Sequence, residues 1–323
     1  MRLRVRGRLV PVLLAGVLVA AVGAGSAGSA ASAPARTRDG SAARVSAATV
    51  PPAPPAPTTS AGVKVLPDGG TRIFPGHMLV AYYGTAGSGA LGVLGATRIS
   101  TATKRLRAAA RPFARSGLPV QIVYELIVTI ADRSPGPDGS YSHDIARSSV
   151  QRYIRAAHHN HALLVLDLQP GRAHFLPTAT HWAWALRDPY VGLALDPEWR
   201  MGPHEIPGHT IGHVQAAEVN RVSAWLSRLT LRAGLPQKLF MIHQFRTDMV
   251  RDISSVHRRA GLALVQHVDG FGTPGQKLAT FHAVARPKRF TLGFKLFYRQ
   301  DVGLMSPARV LKIRPRVRFV SYQ

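Results

Sequence analysis

The chain contains no cysteine, which excludes disulfides, thiolate metal sites and a lipid-anchored lipoprotein. Acids are scarce as well: 16 Asp and Glu stand against 41 Lys and Arg, for a formal net charge of +25. Buried charges need partners, so acids that gather in one place in such a protein call for a reason. Aromatic residues make up only 7 %. The one long apolar run, Leu9 to Val22, is shorter than the roughly 20 residues of a membrane span. No G-x-G-x-x-G follows the first strand-like segment, which argues against a dinucleotide site. No cofactor is expected.

What is present starts with a leader. Four arginines precede the apolar run and small residues follow it, the pattern of a secretory signal peptide over residues 1–33. Retention of that segment as an anchor is the alternative. Residues 34–72 are rich in Pro, Ala, Ser and Thr, and read as a tether of polyproline character. A folded domain is expected over 73–323, in a protein that is secreted and extracellular or associated with the cell wall. Loss of Arg2, Arg4, Arg6 and Arg8 with the leader leaves the chain strongly basic. That charge suits an anionic wall polymer or adhesion to a membrane surface. Nucleic acid is not expected, because no recognition motif is present and the chain is exported. A monomer is expected.

Beyond the tether, apolar runs alternate with helical patterns. HMLVAYYG (77–84), VQIVYELIV (120–128), ALLVLDLQ (162–169) and VGLALDPEW (191–199) are the first four strand candidates. KLFMIHQF (238–245), LALVQHVDG (262–270), FTLGFKLFY (290–298) and VRFVSYQ (317–323) complete eight. Helical stretches such as RISTATKRLRAAARPFARSG and VQAAEVNRVSAWLSRLTLRAG lie between them. The alternation predicts an α/β fold, a single (β/α)8 TIM-type barrel that lacks a final helix. A doubly wound open sheet is the other solution.

Side chains alternate across a strand. In the fourth candidate Val191, Leu193 and Leu195 share the face suited to the helices. Gly192, Ala194, Asp196 and Glu198 share the other, which points into the barrel and ends at its C-terminal rim. The same alternation turns Asp167, Gln169, Glu125, His267, Asp269 and Lys295 inward. Five of the 16 acids therefore aim at one cavity. Asp196 and Glu198 are the expected catalytic pair, because like charges so close push one pKa up and leave a proton donor beside an ionised partner. Asp167, Gln169, Glu125, His267, Asp269 and Lys295 are expected to bind substrate. Trp199, Tyr82 and Tyr83 are expected to stack on it. Each inward acid also has a plain alternative, a structural ion pair with Lys295 or an arginine. Trp182, Trp184 and Trp225 read as core.

The D-x-E formed by Asp196 and Glu198 at the end of strand four resembles the chitinase-type glycosidases and one bacterial muramidase family. That resemblance implies that Glu198 is the proton donor. The further aspartates of the chitinase-type motif are missing, and Tyr82 and Tyr83 stand where the muramidases carry an aspartate. Over about residues 75–323, the blocks DPEW, PGHTIGHVQAAEVN, LPQKLFMIHQF, HVDGFG and GFKLFYRQD resemble a family of secreted actinobacterial glycoside-hydrolase-like barrels.

HEIPGHTIGH (204–213) imitates a metalloprotease zinc motif. Metzincin chemistry needs histidines at i and i+4 on one helix. His204 and His209 are five apart, and Pro207 and Gly208 break any helix between them. The stretch reads as a loop over the barrel mouth, and no metal ligands are assigned. The expected function is hydrolysis of cell-wall or environmental polysaccharide by carboxylate acid/base chemistry. A non-catalytic glycan or wall-polymer binding protein on the same barrel is the alternative.

Overall fold

The computed structural model describes residues 64–323. The expected signal peptide, and the tether up to residue 63, lie outside the described residues. Eight parallel strands form the centre. These are β1 Met78–Thr85, β2 Val120–Ala131, β3 Leu163–Leu168 and β4 Val191–Leu195, then β5 Lys238–Gln244, β6 Leu262–Val268, β7 Thr291–Leu296 and β8 Val317–Tyr322. Each pairs with the next, and β8 pairs with β1 to close the ring. The protein is a (β/α)8 TIM-type barrel.

Helices α1 Ile99–Ala110 and α2 Arg147–Asn160 follow β1 and β2, and the short α3 Phe175–His181 and α4 Ala183–Leu186 follow β3. Helix α5 Ala216–Arg232 follows β4, while α6 Pro274–Val284 and α7 Pro307–Leu311 follow β6 and β7. Their apolar residues recur at helical spacing, as with the buried Val150, Tyr153 and Ala157 of α2. No described α-helix lies between β5 and β6. A two-residue strand, Val250–Arg251, and the turn Ile253–Ser255 cover that side instead, burying Val250, Ile253 and Val256. None follows β8. No helix among the described residues is long and apolar enough to cross a membrane.

Period-two alternation separates two cores. Val80, Leu166, Leu193, Phe240 and Val320 pack outward under the helices. Leu79, Ala81, Val123, Val165, Ala194, Met241, Val265 and Phe319 fill the barrel. Trp182 is buried in the outer core, and Trp184 and Trp225 pack against it. The base of the barrel is plugged from outside the expected domain boundary. Leu66 is 3 % exposed and joins Ile73 in the inner core. Gln237 anchors this segment, its backbone N–H donating to Thr71 O and its side-chain Oε1 accepting from Ile73 N. The packed chain thus begins before Ile73, because the open end of a barrel needs an apolar cover that the strands cannot supply.

Candidate active site

At the C-terminal ends of the strands the inward positions turn from apolar to ionisable. Glu125 (β2), Asp167 (β3), His243 (β5), His267 (β6) and Lys295 (β7) are all buried, as are Asp196 and Asp269 just beyond β4 and β6. Strand register sets Tyr83 beside Glu125, His243 beside His267 and Lys295 beside Ser321. Gly293, next to His267, leaves room for the ring, since a Cβ there would lie 2.8 Å from His267 Cδ2.

Some of these groups are well partnered. Tyr83 Oη donates to Asp167 Oδ2 at 2.7 Å, and Gln169 Nε2 donates to Tyr83 Oη at 3.3 Å. Lys295 Nζ lies 3.4 Å from the Tyr83 ring centroid and 3.4 Å from Asp269 Oδ2. His243 Nδ1 lies 2.8 Å from Asp269 Oδ2, and His267 Nε2 lies 3.1 Å from Ser321 Oγ. The opposite ring nitrogens turn to Glu125. His243 Nε2 is 3.1 Å from Glu125 Oε1, and His267 Nδ1 is 3.5 Å from the same oxygen. Neither contact has hydrogen-bond alignment. Both Glu125 oxygens, His243 Nε2 and His267 Nδ1 are buried without a hydrogen-bond partner, together with Asp167 Oδ1, Asp196 Oδ1 and Asp269 Oδ1.

Five acids facing one lysine and two imidazoles cannot all be ionised at low cost in a desolvated site. Burial pushes Glu198 up to about 7, and the charge of Asp269 adds to this while Lys295 and His243 oppose it. Burial also lifts Asp196 well above the usual carboxylate range, against the pull of His243. Asp167 is pushed up to about 6, again by burial, with His243 and the Tyr83 hydroxyl pulling it back. Burial alone would raise Glu125, but His267 and His243 hold it down at about 2. Asp269 is likewise held below its usual range, because His243 and Lys295 outweigh its burial.

Glu198 stands apart from the strand. β4 ends at Leu195, and Pro197–Trp199 form a single 3-10 turn that leaves Glu198 half-buried. The turn is clamped from behind: Gly212 N donates to Glu198 O at 2.7 Å, and Met201 N donates to Gly171 O at 2.7 Å. Arg200 Nε donates to Glu218 Oε1 at 3.2 Å, and Glu218 also accepts from Phe175 N at 2.8 Å. A Cβ on Gly212 would come within 2.7 Å of the carbonyl oxygens of Pro197 and Glu198. Only glycine allows that approach.

The structure therefore brings together Glu125, Asp167, Asp196, Glu198, Asp269, His267, Lys295, Gln169 and Tyr83. It does not bring Tyr82 to them. Tyr82 follows the outward alternation and packs edge-on against Tyr298 and Tyr322, with ring centroids 6.4 Å away in each case. Adjacent strand residues cannot share a face, so only one of the two tyrosines reaches the site. Trp199 is half-buried beside Glu198, and Phe271 is exposed on the loop after β6. Asp196 is 3 % exposed, and Glu198 is the more accessible member of the pair. In the histidine-rich loop, His204 and His209 are exposed, and Glu205 Oε2 accepts from Gly202 N. The residue that the sequence reading missed is His243. Its signal was available, since Leu239, Met241 and His243 alternate inward along β5 as the acids do elsewhere.

No protein-family model matches the chain. No curated protein matches it either.

Proposed function

We propose that the protein is a secreted glycoside-hydrolase-like barrel that acts on cell-wall or environmental polysaccharide. Glu198 is its proton donor and Asp196 the carboxyl neighbour that shares its charge. One observation carries this reading. At the C-terminal mouth of the barrel, where such folds keep their sites, a half-buried carboxyl is pushed up to about 7. A glutamic acid still substantially protonated near neutral pH can give its proton to a glycosidic oxygen as the bond to the sugar breaks, while water adds to the sugar carbon and its released proton restores the acid. Asp196, raised as well, avoids a second full charge beside Glu198 once that proton has left. Trp199 and Phe271 are the aromatic surfaces against which a sugar ring can stack.

Glu198→Gln keeps the shape and hydrogen bonding of the side chain but has no proton to transfer. Reducing-sugar release from a panel of wall and plant polysaccharides should fall by roughly 10²–10⁴. Undiminished hydrolysis in Glu198→Gln would end the assignment.

The deep burial of Asp167 and Asp196 favours a second reading, a glycan or wall-polymer binder that performs no chemistry. This reading predicts no hydrolysis by the wild type, with retention on the polymers weakened by Trp199→Ala. Retention is to be read at moderate salt, where attraction between exposed charges is screened.

A further inference from the structure

β2 and β6 are opposite walls of the eight-stranded ring, yet Glu125 from one and His267 from the other meet inside it, joined by His243 from β5. Each of the three side chains offers one potential ligand atom, and these lie within 4.8 Å of one another; Glu125 Oε1 is the oxygen that both His243 Nε2 and His267 Nδ1 approach. All three side chains are at most 1 % exposed, and none of the three atoms has a hydrogen-bond partner. Buried polar atoms are normally satisfied, so several orphans gathered in one small volume call for a shared partner.

We propose that Glu125, His243 and His267 bind one divalent transition-metal ion of the zinc class inside the barrel, deeper than Glu198.

The spacing fits. With metal–ligand bonds of roughly 2.0–2.2 Å, neighbouring ligands around a tetrahedral or octahedral ion sit roughly 3.0–3.6 Å apart. Glu125 Oε1 lies 3.1 Å and 3.5 Å from the two imidazole nitrogens. Two further orphan oxygens stand at the edge of the same volume. Asp167 Oδ1 is 3.9 Å from His243 Nε2, and Asp269 Oδ1 is 3.8 Å from His267 Nδ1. The ligand set is two imidazoles and a carboxylate, with carboxylates in reserve and no thiolate, which suits zinc and its neighbours better than calcium.

The outer contacts have the form that metal-bound histidines use. Each ligating ring is normally oriented by a hydrogen bond from its other nitrogen to a carboxylate or another oxygen. His243 Nδ1 has Asp269 Oδ2 at 2.8 Å, and His267 Nε2 has Ser321 Oγ at 3.1 Å. Without a metal His243 carries a proton between Glu125 and Asp269, and binding would release it; with the ring hydrogens then on the outer nitrogens, the lone pairs of His243 Nε2 and His267 Nδ1 face Glu125. Gly293 keeps the His267 ring in place by having no side chain to displace it. Charge points the same way, because a cation at this position offsets the surplus of buried carboxyls. The competing arrangement is a proton in place of the metal, with His243 as an imidazolium between Glu125 and Asp269. It leaves His267 Nδ1 unpartnered, which the metal does not.

The inference is independent of glycan hydrolysis, and its test reads binding alone. Full-length protein stripped with a chelator is titrated with Co²⁺, followed by visible absorption, and then with Zn²⁺, followed by calorimetry and thermal unfolding. The expected result is one Co²⁺ per chain with ligand-field bands, displacement by Zn²⁺, and a raised unfolding temperature. Glu125→Gln and His267→Gln should abolish the bands. Ser321→Ala, which removes only the group that orients His267, should weaken affinity about 10–100-fold. It decides the matter if the ligand variants fail to fold. Three results would overturn the proposal: no saturable uptake, uptake that persists unchanged in Ser321→Ala and in every folded ligand variant, or bands lost in His204→Ala and His209→Ala instead. A His243 imidazolium seen by ¹⁵N NMR and unaffected by Zn²⁺ would overturn it too.

Discussion

Tyr83 donates its hydroxyl to Asp167 across 2.7 Å, tying β1 to β3 over the inward face of β2. The same ring carries the Lys295 ammonium 3.4 Å from its centroid, so one tyrosine holds an acid at its edge and a cation at its face. Both partners are buried, where a lost donor is expensive and a satisfied network is rigid. This pair is a main polar fastening of the site.

Tyr83→Phe keeps the ring under Lys295 but leaves Asp167 Oδ2 without its donor. The expected loss is about 1–3 kcal/mol in urea unfolding. The carboxyl of Asp167, already pushed up to about 6, should rise further, because the Tyr83 hydrogen bond is one of the influences that lower it. An unchanged unfolding midpoint would mean that this bond does not hold the two strands together.

Leu66→Ala tests the plug at the base of the barrel. A buried leucine truncated to alanine typically costs about 2–5 kcal/mol. Chemical denaturation of the variant should show a loss in that range, and a chain shortened to begin at residue 73 should lose at least as much. If the shortened chain unfolds like the whole one, residues 64–72 belong to a tether after all.

Gly212→Ala should injure activity without touching any acid. Its new methyl group would press on the carbonyls of Pro197 and Glu198, and so move the turn that aims Glu198. Turnover of a responsive polysaccharide is expected to fall, while far-ultraviolet circular dichroism stays close to wild type. Full turnover in Gly212→Ala would show that the turn can shift at no cost to chemistry.

The raised pKa of Glu198 also has a sign that stability must obey. The folded state holds this proton more tightly than the unfolded chain does, so the stabilisation is complete below about 4.5 and is lost as pH rises through about 7. Wild-type protein should therefore lose stability between these values, and Glu198→Gln should lose less. Activity that depends on the protonated acid should decline above about 7. Parallel stability curves for the two proteins across that interval would refute the assignment of the shift to Glu198.

How far the sequence carries is clearest at β4. The run from Val191 to Leu195 alternates so plainly that the outward leucines and the inward Gly192, Ala194 and Asp196 can be assigned from residue order alone. The same rule places Glu125, Asp167, His267 and Lys295. It also finds His243 when applied to every strand, and it rejects Tyr82 once Tyr83 is turned inward. Periodicity is local, and the eight strands with their inward acids follow from it. It fails where the strand stops. Glu198 lies on a turn rather than in the strand, and its aim is set by Gly212, Arg200 and Glu218, which belong to the following loop and helix.

By itself the sequence determined that a barrel forms and that its acids turn inward, because strand period and apolar content are properties of neighbouring residues. Only the tertiary structure decided that Glu125 meets His243 and His267, that Tyr83 rather than Tyr82 holds Asp167, and that Leu66 closes the base. Those contacts join residues far apart in the chain. They depend on how strands tilt and stagger when the sheet closes on itself, and that geometry belongs to the whole ring and to no single strand.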